Sequence, residues 1–193
     1  MYSYLYNNEN FNAMKSKFQL LGLIAFVTSS MFPACQPASQ AEGEAEAAQT
    51  DTITQLVSNV VTMWNTLNPD MIGDCYASTF RRESPTGAQT NQTELRELIG
   101  QTGTAYSNFN VNMREVVVKG NQAFGSFTFS GDNTGPTVEG MPATGKSFNV
   151  DGIVAIKVMD GKIVEERLYW NHLQLMTQLG YSLQAPSMEE DPM

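Results

Sequence analysis

The sequence predicts an α+β domain in which helices come first and an antiparallel meander follows, the helices packing on one side of a curved sheet. Three observations carry this reading. Ile53, Leu56, Val57, Val60, Val61, Trp64 and Leu67 recur at helical spacing. Phe148, Val150, Val154, Ile156 and Val158 fall on every second residue, the period of a half-buried strand. Asp160-Gly161 then supplies the positive φ angles of a two-residue hairpin.

With 193 residues the chain is one domain plus flanking segments, large enough for a real core. Its net charge of −9, from 20 Asp and Glu against 11 Lys and Arg, argues against nucleic-acid binding. Arg81-Arg82 is the only basic pair and reads as a solvated strand end. Two cysteines, one of them in the leader, cannot make a disulfide scaffold, and Cys75 reads as a buried thiol. A single His without a Cys or His cluster cannot supply a zinc site, so no metal and no cofactor is expected. The Met residues from Met63 to Met176 are scattered over the elements and read as adaptable core filler.

Along the chain, residues 1–35 read as an N-terminal extension and a secretory signal. Met14 is a second possible start, Lys15 and Lys17 are the basic flank, and Phe18 to Val27 is an apolar run too short to span a bilayer. Ala34-Cys35 resembles the lipobox of bacterial lipoproteins. That resemblance implies diacylglycerol on Cys35 and a membrane-anchored protein of the cell envelope. Cleavage near Ala41, giving a soluble exported protein, is the alternative. Residues 36–50 read as a disordered acidic spacer.

The folded domain is expected over 51–182. Asp51 to Leu67 is an amphipathic helix, and Asn68-Pro69 opens a short second one over Asp70–Tyr76. Thr79 to Glu83 reads as a strand and 84–89 as a loop. Asn91 with Glu94 is a capping-box pattern for a third helix carrying Leu95, Leu98 and Ile99. Phe109, Val111 and Met113 begin a strand that turns at Lys119-Gly120-Asn121, and Phe127 and Phe129 lie on its return. After the Gly-rich connection from Ser130 and the alternating strand, the last strand runs from Lys162 to Trp170. It carries Glu165, Arg167, Tyr169 and Asn171 on one parity and Val164, Glu166, Leu168 and Trp170 on the other. The polar stripe either faces water or lines a pocket. Asn171 is an N-cap for a terminal helix that Gly180 stops, and 183–193 reads as a disordered tail.

The segments SGDNTGP, GMPATGK, DGKIVEE and LQLMTQLG, preceded by TMWNTLNPDMIGDCYAS, resemble the SnoaL-like polyketide cyclase or ester cyclase family of the nuclear transport factor 2-like superfamily. The resemblance covers about Thr52 to Tyr181. It implies a cone: three N-terminal helices wrap a strongly curved antiparallel sheet, with a short C-terminal helix and an apolar cavity at the open end. It also implies an Asp near the end of the last strand as general acid and base on a polyketide ester, and a His in the Gly-rich segment. Those positions hold Asn171 and Asn133 here, and Arg167 stands where the family has a Trp. Asn cannot carry a proton, and losing a positioned proton carrier costs on the order of 10²–10⁴ in rate.

Three functional expectations follow. In the first, the cone cavity binds a small, largely apolar molecule through Asn133, Asn171, Arg167 and Tyr169. In the second, the protein is a cyclase- or isomerase-type enzyme moving a proton beside a carbonyl, with Asp132 or Glu165 as base and His172 as a further catalytic candidate. The bland alternatives are a turn carboxylate for Asp132, a surface ion pair for Glu165 with Arg167, and helix-cap packing for His172. In the third, the domain is a homodimer joined through the outer sheet face, with a vestigial pocket.

Overall fold

The protein is described here by a computed structural model covering residues 38–182. The leader, Cys35 and the tail from 183 lie outside the described residues. Helix α1 spans Ala38–Thr66 and is followed by a 3-10 turn at Pro69–Met71 and the single-turn helix α2 at Ile72–Cys75. Then come β1 (Tyr76–Ser84), β2 (Gly87–Asn91), α3 (Gln92–Ala105), β3 (Tyr106–Lys119), β4 (Gln122–Asn133), β5 (Ser147–Met159), β6 (Lys162–Trp170) and α4 (His172–Gln178).

Two expectations about single segments need correction. Residues 38–50, read as disordered spacer, continue α1 as helix. Their Ala and Glu residues are strong helix formers, and an exposed helix needs no apolar stripe to continue one already anchored. The segment read as loop 84–89 contains the start of β2, which pairs antiparallel with β1 from Ser84↔Gly87 to Thr79↔Asn91. The sequence GAQTN has no apolar alternation because its one buried member, Gln89, packs by hydrogen bonding rather than by hydrophobicity.

The six strands form one sheet in the order β2-β1-β6-β5-β4-β3. All neighbours are antiparallel except β1 and β6, so the sheet is mixed rather than wholly antiparallel. On the inner face of β5 the row Phe148, Val150, Val154, Ile156 and Val158 is buried, as its alternation requires. Each such side chain contributes about 1.5–3 kcal/mol by leaving water. The gap in the row is Gly152, where a Cβ would overlap the Phe127 ring on the register partner β4. Ile53, Leu56, Val57, Val60 and Trp64 of α1 close over this face.

Bulges curl the sheet. In β3 the register slips between Ser107 and Asn110, where Asn108 takes φ 51°, and again between Met113 and Glu115. In β6 two residues, Ile163 and Glu165, face the consecutive pair Val158 and Lys157, leaving Val164 as the extra residue. Each bulge adds local twist and resets which parity points inward. Asn65 ties α1 to this curl, donating from Nδ2 to Val111 O at 2.9 Å and accepting from Val111 N at 2.6 Å. The β5–β6 hairpin turns on Asp160 (φ 51°) and Gly161 (φ 72°), as its sequence predicts.

Candidate functional site

Between α1, α3 and the concave face of the sheet lies a cavity of about 130 Å³. Val57, Val60, Val61 and Trp64 form its α1 wall, because they fall on the stripe that faces the sheet. The sheet contributes Phe109, Val111 and Met113 from β3, Phe127 and Phe129 from β4, and Val154 and Ile156 from β5. Phe129 meets Trp170 edge-on at 5.4 Å and Phe148 at 5.5 Å, so the aromatic wall is held by its own contacts.

Into this apolar space β1 and β6 send a buried charge pair. Arg82 and Glu166 both line the cavity and are only 5% and 2% exposed. Arg82 Nε lies 2.9 Å from Glu166 Oε2, but its N–H is not aimed along that line and makes no well-formed hydrogen bond. Arg82 Nη1 donates to Gln89 Oε1 at 2.8 Å, across the β1–β2 register pair that places them opposite. Its guanidinium lies over the Trp64 ring, 5.2 Å from the centroid. The Tyr76 hydroxyl donates to Glu166 Oε2 at 2.9 Å. Burial, then the Glu166 charge beside it, holds the Tyr76 hydroxyl well above its ordinary pKa, so it stays a donor.

Glu139, on the β4–β5 connection, also lines the cavity, and its Oε1 lies 3.7 Å from His172 Nε2. His172 Nδ1 and Trp170 Nε1 are buried without a hydrogen-bond partner among the described residues. Tyr106, on the same wall, has its hydroxyl pushed up to about 12 by burial and then by the Glu139 charge.

The residues singled out from the sequence do not form this wall. Asn133 is fully buried but spends its amide on backbone. Nδ2 donates to Ala105 O (3.2 Å) and Gly135 O (2.7 Å), and Oδ1 accepts from Thr144 N (2.9 Å) and Thr144 Oγ1 (3.1 Å). Asn171 is exposed and caps α4, its Oδ1 accepting from Gln174 N at 2.9 Å. Arg167 points outward and pairs with Glu83 at 3.5 Å and Glu165 at 3.4 Å, while Tyr169 is 56% exposed. The expectation that these four are the cavity's polar contacts is therefore corrected: the stripe faces water, and the other parity, Glu166, Leu168 and Trp170, lines the pocket.

Of the catalytic candidates, Glu165 sits in the outward ion network with Lys157 and Arg167. Asp132 accepts from Ser147 and Asn108, bonds that lower its pKa in that order and leave it a poor base. Neither reaches the cavity. His172 is not part of the cavity lining and meets it only through Glu139, 3.7 Å away.

Arg82, Glu166 and Glu139 were missed. The pair Arg81-Arg82 looked like a solvated strand end, yet only Arg81 is outside, bonded to Glu83. The available signal was parity: Arg82 shares a strand face with Phe80, and Glu166 shares one with Leu168 and Trp170.

A family model described as SnoaL-like polyketide cyclase matches residues 54–179. No curated protein matches the chain. Among solved structures, TsrD from Streptomyces laurentii is 25% identical with a TM-score of 0.62, over 67% of this chain and 96% of that one. A candidate SnoaL-like polyketide cyclase from Jannaschia Sp. CCS1 is 19% identical with a TM-score of 0.58, over 67% and 94%. A protein of ketosteroid isomerase-like fold from Catenulispora acidiphila, solved with trimethylamine, is 16% identical with a TM-score of 0.58, over 66% and 93%. The last two show likeness of fold alone.

Proposed function

Because the chain belongs to the SnoaL-like polyketide cyclase family, we propose that its domain uses the family's cone to bind a small, largely apolar molecule, without the family's own acid–base pair. The single observation behind this is the apolar cavity between α1 and the curled sheet, with a few convergent polar groups on its wall. Asn171 and Asn133 replace the Asp and His, and both amides are committed to structural hydrogen bonds. Native mass spectrometry of the purified full-length chain tests the reading. A small-molecule adduct that is lost on denaturation supports it. A bare polypeptide mass, together with Trp emission that toluene does not change, refutes it.

A proton-transfer enzyme is the second reading, favoured by one observation. Glu166, rather than Asp132 or Glu165, is the carboxylate set deep in the cavity wall. A homodimer is proposed through the outer sheet face, where Val117 faces Phe124 and Ile153 faces Tyr169, all exposed. Sedimentation of Phe124→Glu against the unaltered chain decides that point. Among the described residues no helix is long and apolar enough to cross a membrane. Export and lipidation of Cys35 are proposed from the leader's pattern alone, and an unmodified Cys35 in the mature protein would reject them.

A further inference from the structure

Besides the sealed Trp170 Nε1 and Arg82 Nε, the Arg82–Glu166 pair on the cavity wall keeps one donor atom and one acceptor atom without a partner among the described residues. Glu166 Oε2 takes the Tyr76 hydroxyl and lies against Arg82 Nε, and Arg82 Nη1 is bonded to Gln89. Arg82 Nη2 and Glu166 Oε1 therefore remain without a hydrogen bond to any described residue. Neither is sealed from accessible space in the way that Arg82 Nε is. Both side chains are almost wholly buried and both line the cavity, so the space these two atoms meet is the cavity's.

We propose that this pair recognises a neutral ligand head carrying an acceptor and a donor side by side, as an amide, a lactam or an undissociated acid does. Arg82 Nη2 donates to the head's oxygen, and the head's N–H or O–H donates to Glu166 Oε1. The inference rests on the cavity-binding reading above and adds the class of ligand. The pair is preset: Gln89 and the Trp64 face hold Arg82, and Tyr76 holds Glu166. An anionic head would meet the Glu166 charge and a cationic one the Arg82 charge, with little water to screen either. A ligand without polar atoms would leave both groups desolvated and unbonded, which is the costly arrangement. The body attached to the head is on the scale of one ring, since a dry cavity of about 150 Å³ accommodates benzene and this one is about 130 Å³.

The test titrates the full-length chain at pH 7.5 with benzamide, benzoate, benzylamine and toluene. The readouts are Trp emission and calorimetry. The chain has two Trp residues, Trp64 and Trp170, and both stand on the cavity wall. Benzamide is expected to bind about tenfold tighter than toluene, the scale of one to two net hydrogen bonds, and tighter still than either ion. Glu166→Gln removes the negative partner, and benzoate is then expected to overtake benzamide. Should that variant fail to fold, the four-probe series on the unaltered chain decides alone. Toluene binding as tightly as benzamide, or benzoate binding tightest, overturns the head-group inference and leaves the cavity reading standing. Failure of all four probes to bind removes both.

Discussion

Replacing Asn133 with Ala separates a structural amide from a ligand contact. The side chain makes four hydrogen bonds, two given and two accepted, which uses its full capacity. At about 0.5–1.5 kcal/mol net per bond the gross loss would be roughly 2–6 kcal/mol. Ala105 O keeps the backbone bonds from Thr134 N and Gly135 N, and the Thr144 hydroxyl can turn to solvent. Gly135 O and Thr144 N have no such substitute, so the expected loss is about 3 kcal/mol. For a domain of this size that lowers Tm by about 10 °C. Asn133→Asp should cost more, since a carboxylate has no donor and would face the oxygens of Ala105 and Gly135. Thermal and urea melts of the full-length chain, run beside toluene titrations, give the answer. A loss below about 1 kcal/mol would refute this reasoning, and unchanged stability with lost probe binding would put the amide back in the ligand's path.

Gly152→Ala drives a Cβ into the Phe127 ring. A cost of about 1–3 kcal/mol is expected together with weaker toluene binding, because the displaced ring belongs to the cavity wall; equal stability and binding would contradict the packing. Asn171→Asp keeps a good N-cap, so urea midpoints should agree within about 0.5 kcal/mol and probe affinities should not move. A large change in either would mean the residue reaches the site. Alkaline pH should destabilise the fold. Burial, then the Asp74 charge, pushes the Cys75 thiol from 9.0 to about 11; burial, then Glu139, pushes Tyr106 from 10.0 to about 12; and burial, then Glu166, raises Tyr76 well above its ordinary value. The unfolded chain ionises first, so the stability these groups confer is full below pH 9.0 and falls as pH rises toward 12. Urea midpoints equal at pH 8 and 10.5 would show that these groups ionise freely in the folded state.

Much of the architecture was legible because it rests on local periodicity. The α1 stripe, the β5 alternation, the Asp160-Gly161 turn and the caps at Asn91 and Asn171 all stand where the pattern put them. Asn91 Oδ1 accepts from Glu94 N at 3.0 Å, although Glu94 reaches back to Thr90 N rather than to Asn91. What was hidden depends on partners far away in the chain. β2 is held to β1 through Gln89 and Arg82, and the parallel β1–β6 pairing brings Arg82 opposite Glu166. No window of sequence contains both halves of that pair.

The same distinction explains why the expected site residues fell outside the site. A polar side chain serves a ligand only with hydrogen-bonding capacity left over, and a sequence shows the capacity but not its use. Asn133 has spent all of its capacity on the connection it anchors, Asn171 is exposed at the first turn of α4, and Arg167 is answered by Glu83 and Glu165. The bulge at Val164 decides the rest: it lets Ile163 and Glu166 both point inward, although strict alternation would separate them. Without it the carboxylate that faces Arg82 would lie on the solvent side, and the buried guanidinium would have no counter-charge, a state that costs about 3–5 kcal/mol. The bulge that curls the strand is therefore also what gives the cavity its polar wall, and shape and chemistry in this domain have one origin.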